Sequence, residues 1–514
     1  MKPLHPTPAV LVVLIGLGLV LGSWWQVTRP SRDLEVVHLR APDAQGALPM
    51  THVLPRATDV VARRSPVDRG IPGVLIAHGF GASRRIMLGY AYRLAHAGYG
   101  VALWDFAGHG ANPAPLDPSR EGLQDNIDTA LASLLERDEI DPQRIAVVGH
   151  SMGSAAAMRA GIRRRDVFAA VVAISPTGAL FSEAAPRNLL LQAGSLEPRF
   201  VANARRLLDE AGGSDDTAEA FAVGVARAME IVPGVEHMTI LFSDRSQESV
   251  VEWLDSAFAI ERDDEPVYTD RRGLLYALHF VAWLLIARVA GPCVRRLIPR
   301  GAARGRGGLP AIRARWWVAG MIGGPFVATA ALAAIATVVQ VAELGGMLVA
   351  GAAALWFFIS GLIWLALGFR PSRPRIAGVV LGLGLFAVLW VAAGIMVQHL
   401  ALQWVLIPAR LARWPAVALA MLPWQLGAGF AQAGAPGRYR VGLFFAWTIP
   451  VLAALAFAGI TVDGLFFLTL VLPALPVAFA ATALLGGIAD DPWGYAIGNA
   501  LFLGWLVVAI FPLA

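Results

Sequence analysis

The chain has 514 residues, which at roughly 100 to 200 residues per domain excludes a single small module. Hydrophobic residues make up 56% and charged residues 15%, with a mean hydropathy of +0.59, more apolar material than a water-soluble globule covers with polar surface. The net charge of +5 is unevenly divided: residues 273–514 carry 15 Arg against four acids, net +11, and the remainder carries 27 basic against 33 acidic residues, net −6. Basic residues bunched between hydrophobic runs suit membrane topology, and a nucleic-acid partner is excluded.

The first element is Ala9 to Trp25, an uncharged apolar run with Lys2 before it and Arg29 and Arg32 after it. It ends in Ser23, Trp24 and Trp25 rather than in the small residues of a cleavage site, so residues 1–28 read as an uncleaved signal anchor. Interfacial Trp pairs are themselves a boundary signature.

From about Leu34 to Ile260 short apolar runs alternate with helical ones, which predicts a mostly parallel sheet covered by helices on both faces. Gly73 to Ala77 reads as a strand ending in His78-Gly79-Phe80-Gly81, followed by a helix through Leu94. Gly100 to Trp104 is a strand ending in Asp105-Phe106-Ala107-Gly108-His109-Gly110, followed by a helix through Leu135. The strand Ile145 to Val148 runs into Gly149-His150-Ser151-Met152-Gly153, and Ala155 to Ile162 has helical spacing. A G-x-S-x-G carries chemistry only at such a strand-to-helix turn, where glycines permit the strained backbone that lifts the Ser hydroxyl clear of the sheet. The helix beginning at Met152 directs its amides towards a developing oxyanion.

A free Ser hydroxyl needs a general base, and here the chain order is Ser, then acid, then His. Only His237, His279 and His399 follow Ser151; the last two fall in predicted membrane helices, which leaves His237. The strand Leu189 to Gln192 ends in Ala193-Gly194-Ser195-Leu196-Glu197, placing a carboxylate where it can orient the imidazole. Glu197 is therefore the expected acid, with Asp215 and Asp216, in a Gly-Gly-Ser-Asp-Asp turn, as the alternative. The single Cys293 allows no intramolecular disulfide and no Cys/His cluster offers a metal site, so neither cofactor nor metal is expected.

Over roughly residues 34–260 these motifs together resemble the α/β-hydrolases. The resemblance rests on the His78-to-Gly81 loop, the Asp105-to-Gly110 segment, the Ser151 elbow and the Glu236-His237 ending. It implies an α/β-hydrolase domain over 29–265 and an oxyanion hole formed by the backbone amides of Phe80 and Met152. It also implies that His78, Asp105, His109 and His150 are structural or pocket-lining. Two departures are a Glu where Asp is commoner and only about ten residues, Thr177 to Pro186, between the sixth and seventh strands, which leaves a small cap to be built from 199–228.

Residues 273–514 read as an all-α membrane domain of about eight helices, near 273–291, 316–339, 345–368, 376–398, 415–432, 441–461, 464–487 and 494–513, each about the ~20 residues that cross a bilayer. Arg410 and Arg413 in 399–414 suggest an interfacial amphipathic segment. The expected function is a serine hydrolase cleaving an ester, thioester or amide through an acyl-enzyme, with the lipid bilayer and an acyl-bearing substrate, lipid included, as partners. An acyltransferase and a non-catalytic sensor coupled to a transporter are the competing expectations.

Seven Arg between 295 and 315, three at 370, 373 and 375, and two at 438 and 440 assign those connections to the cytoplasm, and the hydrolase domain to the outer side of a bacterial cytoplasmic membrane. In a Cys293→Ala background, Ser214→Cys should react with an impermeant maleimide in cells with an opened outer layer, and Gly305→Cys should not. Labelling of the second with protection of the first would invert the topology.

Overall fold

A computed structural model describes residues 6–44, 46–56, 70–117, 121–178, 181, 186–262, 268–297, 314–368, 371, 373–434, 440–489 and 491–514. The chain opens with helix α1 (Pro6–Thr28) and then a hairpin of β1 (Leu34–Asp43) and β2 (Gly46–Pro55). Strands β3 (Ile71–Ala77), β4 (Gly100–Trp104), β5 (Ile140–His150), β6 (Phe168–Ile174), β7 (Leu189–Gly194) and β8 (Arg227–Val232) complete one eight-stranded sheet, in the order β1-β2-β4-β3-β5-β6-β7-β8. The pairs β1/β2 and β2/β4 are antiparallel and the other five are parallel. The central strands are buried on both faces, which is why they read as unbroken apolar runs rather than as alternating ones.

One face of the sheet carries α2 (Leu88–His96) and α7 (Asp244–Phe258), and the other α3 (Gly122–Leu135), α4 (Met152–Arg163) and α5 (Pro198–Glu210), each face with its own apolar core. A short α6 (Ala218–Val223) precedes β8. This is the α/β-hydrolase fold, followed by a C-terminal helical region. The hairpin supplies the antiparallel edge that the sequence pattern alone does not specify.

The helical region contains α8 (Arg272–Leu297), α9 (Ala314–Ala336), α10 (Ala350–Gly368), α11 (Ile376–Leu400), α12 (Pro408–Leu411), α13 (Trp414–Gly434), α14 (Arg440–Thr461), α15 (Phe467–Val471), α16 (Leu475–Ala489) and α17 (Pro492–Ile510). Each of the eight predicted apolar stretches contains helix, but 464–487 is broken: Pro473 lies in a 3-10 turn, Leu472–Ala474, where it has no amide to donate to a continuous helix. Seven helices among the described residues are long and apolar enough to cross a membrane: Ala9–Arg32, Arg272–Gly291, Arg315–Ala336, Ala350–Gly368, Ile376–Leu400, Val441–Thr461 and Pro492–Ile510. α13 and the broken segment are not among them. Most of the Arg-rich connection 295–315 lies outside the described residues, as do Arg370 and Arg438 and most of the loop from Thr177 to Pro186.

In the segment 399–414, expected to be interfacial and amphipathic, Arg410 does not face solvent. The segment turns back against the hydrolase domain, and Arg410 is 0% exposed. Its guanidinium donates to the carbonyls of Gly110 (3.1 Å), Gly108 (2.6 Å), Phe511 (2.8 Å) and Val508, so a residue that looks like a solvated charge is a clamp between the two parts of the chain. Beside it Leu513 donates to Gly108 O (2.9 Å) and accepts from Leu116 N (3.0 Å), and Leu348 N donates to Pro512 O (2.9 Å). Replacing the clamp with an apolar residue of similar length strands several buried carbonyls, each costing about 1–3 kcal/mol. Arg410→Met should therefore lower stability by about 3 kcal/mol or more in thermal unfolding in mild detergent; a change within about 0.5 kcal/mol, the ordinary range for a surface substitution, would return Arg410 to the solvated face the sequence suggested.

Candidate active site

At the end of β5 the backbone turns into α4 through Ser151, which holds φ 52° and ψ −118°. A non-glycine residue pays for that conformation in strain, and the close packing around it fixes it. A Cβ on Gly153 would lie 2.4 Å from Ala77 O, so α4 can start this close to β3 only with glycine there. On the other side a Cβ on Gly79 would lie 3.1 Å from Ser151 Cβ, which shows how closely the 78–81 loop approaches the serine.

Ser151 Oγ lies 3.0 Å from His237 Nε2, and His237 Nδ1 lies 2.8 Å from Glu197 Oε2. A carboxylate only accepts, so Nδ1 carries the proton and Nε2 presents its lone pair to the Ser151 hydroxyl. Glu197 is itself fixed: its Oε1 accepts from Ser175 Oγ (2.7 Å) and from Gly194 N (2.6 Å). All three residues are buried, Ser151 being only 3% exposed. The ring of Phe200, from α5 in the segment expected to form a small cap, stacks on His237 at 4.2 Å.

The alternative acids do other work. Asp215 is exposed, its backbone pairs with Arg227, and its Oδ1 accepts from Thr217 N and Thr217 Oγ1 at the start of α6. Asp216 is also exposed. Neither is hydrogen-bonded to His237. Of the two residues named for the oxyanion hole, Phe80 lies in the loop that packs on Ser151, and Met152 is the first residue of α4.

The flanking histidines are connectors. His78 Nδ1 donates to Gly79 O (2.8 Å) while its Nε2 accepts from Phe106 N (3.1 Å). His150 Nε2 donates to His237 O (3.0 Å), and His109 Nδ1 to Ala107 O (2.9 Å). Burial pushes all three imidazoles below their usual range, His109 and His150 well below it, so they are neutral at physiological pH. Burial alone would raise the Asp105 carboxyl, but Arg84 and two backbone amides outweigh it and hold the group ionised. No group of three His, Cys, Asp or Glu side chains among the described residues could hold a metal ion.

Sequence reasoning missed Ser175, Phe200 and Phe467. The ring of Phe467, at the start of α15, stacks on Phe80 at 3.8 Å, and Arg199 lies 5.4 Å from the ring of Phe466. The helical region thus covers the loop that borders Ser151. Ser175 and Phe200 have no local pattern that announces them.

Residues 72–216 match the family model for serine aminopeptidases, S33. The chain is 30% identical over 264 residues to the uncharacterized protein Rv2307c of Mycobacterium tuberculosis (strain H37Rv), covering 46% of this chain and 90% of that protein. Among solved structures it is similar to the thermophilic carboxylesterase EstE1 from a metagenomic library (16% identity, TM-score 0.34, 48% of this chain and 98% of that one). It is also similar to an esterase of Pyrobaculum calidifontis (16% identity, TM-score 0.34, 50% and 100%).

The hydrogen-bond chain generates a ranking. Glu197→Gln should slow fluorophosphonate labelling of Ser151 by roughly 10²-fold or more, because an amide no longer fixes the tautomer or stabilises imidazolium. Ser175→Ala should slow it by roughly tenfold through loss of one charge-assisted bond, and Asp215→Asn should leave it unchanged. A larger effect at Asp215 than at Glu197 would transfer the acid role.

Proposed function

Starting from a chain that belongs to the α/β-hydrolase family of enzymes, we propose a membrane-bound serine hydrolase that cleaves an ester, thioester or amide through Ser151, His237 and Glu197. The reading rests on one observation, the continuous hydrogen-bond chain from Ser151 Oγ through His237 to Glu197 at a strained strand-to-helix turn.

Ser151 Oγ attacks the substrate carbonyl carbon as His237 Nε2 takes its proton, and Glu197 stabilises the imidazolium that forms. The oxyanion of the tetrahedral intermediate is held by the amides of Phe80 and Met152. His237 returns the proton to the leaving oxygen, sulfur or nitrogen, leaving an acyl ester on Ser151. Water, deprotonated by His237, attacks that ester and releases the carboxylic acid and the free serine. A second reading, transfer of the acyl group to a lipid hydroxyl, is favoured by the near-complete burial of Ser151 and by the contact of Phe467 from the helical region with Phe80 in the neighbouring loop.

Membrane attachment is supported by the seven long apolar helices and by the placement of their ends. α1 ends, and α8 begins, beside the hydrolase domain, and α11 ends there, where Arg272 donates to His399 O. α8 is 26 residues long, so its other end is ~39 Å away along the axis. By the same alternation through α9 and α10, Arg375 starts α11 at that far end, which agrees with Arg-rich connections on the cytoplasmic side and a hydrolase domain outside. A site held at the bilayer surface favours a lipid or an acylated envelope component by proximity.

Ser151→Ala should abolish fluorophosphonate labelling and hydrolytic turnover while leaving the melting temperature nearly unchanged. Acid quench of the parent enzyme during turnover, followed by mass spectrometry of the Ser151 peptide, should give the mass of the acyl group, and His237→Ala should show neither the adduct nor turnover. Turnover by the Ser151→Ala protein comparable to that of the parent would remove the mechanism.

A further inference from the structure

A cavity of about 340 Å³ opens where the hydrolase domain meets the ends of α1 and α11. It is separate from the Ser151 site. Its polar wall includes Arg84, Arg85, His38, His399 and Thr51, with Thr28, Ser31 and Tyr92 beside them, and no carboxylate lines it among the described residues.

The two arginines differ. Arg84 is paired with Asp105 and donates its Nε to Thr51 Oγ1 (2.9 Å). Among the described residues Arg85 is hydrogen-bonded to neutral acceptors, Gln403 Oε1 (3.1 Å) and the carbonyl of Gln398 (2.9 Å), and makes no ion pair of its own, so its charge is oriented without a direct carboxylate contact. His38 Nδ1 lies 3.0 Å from Thr51 Oγ1. Burial and then the charges of Arg84 and Arg85 push the His38 imidazole below its usual range, as expected beside a wall of positive potential. A half-buried guanidinium held in place by neutral acceptors is a preorganised anion donor.

The depth of the cavity narrows the ligand. Trp24 packs edge-on against His399 at 4.9 Å, and Trp25 lies under Arg29 and Arg32 at 6.0 and 5.3 Å. Trp, Arg and Thr at the end of an apolar helix mark headgroup level when the helix crosses a bilayer, so the site rests on the membrane reading above for its position but not on the hydrolase reading. The rest of the wall, Val27, Leu34, Val36 and Leu88 among it, suits the glycerol and first methylenes of a lipid.

We propose that this cavity binds a phosphate group that carries no compensating cation, held principally by Arg85 with His38 and His399, and supplied by an anionic phospholipid or as soluble phosphate.

The test is native mass spectrometry of the full-length protein in neutral detergent, with phosphatidylglycerol and phosphatidylcholine of identical chains. Phosphatidylglycerol should be retained about tenfold more strongly than phosphatidylcholine, and Arg85→Gln should lose about that factor. Arg85→Lys should keep most of it, and Arg40→Gln, on the exposed face of β1, should change nothing. Millimolar inorganic phosphate distinguishes the sources: displacement of the lipid assigns the site to soluble phosphate, and no displacement assigns it to the lipid. Equal retention of the two lipids, or retention unchanged in Arg85→Gln, overturns the proposal. If Arg85→Gln does not fold, as judged by its melting temperature, His399→Gln carries the same comparison.

Discussion

Ser151 can stand at φ 52° only because the chain on either side of it is bare. At Gly149 a Cβ would meet Gly153 O at 2.1 Å, and at Gly153 it would meet the carbonyls of Ala77 and His78 at the end of β3. Everything else in the hydrolase half is arranged around that forced turn. β5 sits in the middle of the sheet so that the turn emerges at its edge, α4 starts against β3, and the 78–81 loop closes from the other side. The strain is held by packing on three sides, as expected where a backbone conformation is kept for what it presents rather than for its own stability.

Much of this was legible in the chain. The strand β4 has the limits read from the sequence, and the three residues read from chain position form one hydrogen-bond chain, Ser151 to His237 to Glu197. The reason is local: a buried parallel strand is a short apolar run, and the polar residue just after it stands at the sheet edge. Asp215 and Glu197 look alike in sequence, each an acid near a turn. They differ because Glu197 follows β7 directly, while the Asp215 carboxylate is used by Thr217 at the start of α6. What was not legible depends on distant partners. Ser175 matters because Glu197 folds back to it across 22 residues, and the antiparallel hairpin at the sheet edge left no distinctive pattern in a mostly parallel reading.

Arg410 shows the limit most plainly. In sequence it sits among Leu, Ala and Pro with Arg413 nearby, which is the pattern of a residue reaching for water. In the structure its acceptors are four backbone carbonyls from two other regions, 98 to 302 residues away, and no window of sequence contains them. Arg in the helical region therefore occurs in two distinct settings: flanking the apolar runs, and clamping the hydrolase loop, where planar geometry and donor number matter more than charge.

The length of that clamp has a consequence for how the molecule is made. Gly110 and Arg410 are separated by 300 residues, which at ordinary rates of synthesis is roughly 15 to 60 s of translation. During that interval the eight-stranded sheet has all of its own chain, while the rim beside the serine still lacks Arg410, Phe467 and the segment 508–514. A nascent hydrolase half waits with its reactive edge uncovered, and only the arrival of the late helices gives the pocket its finished boundary.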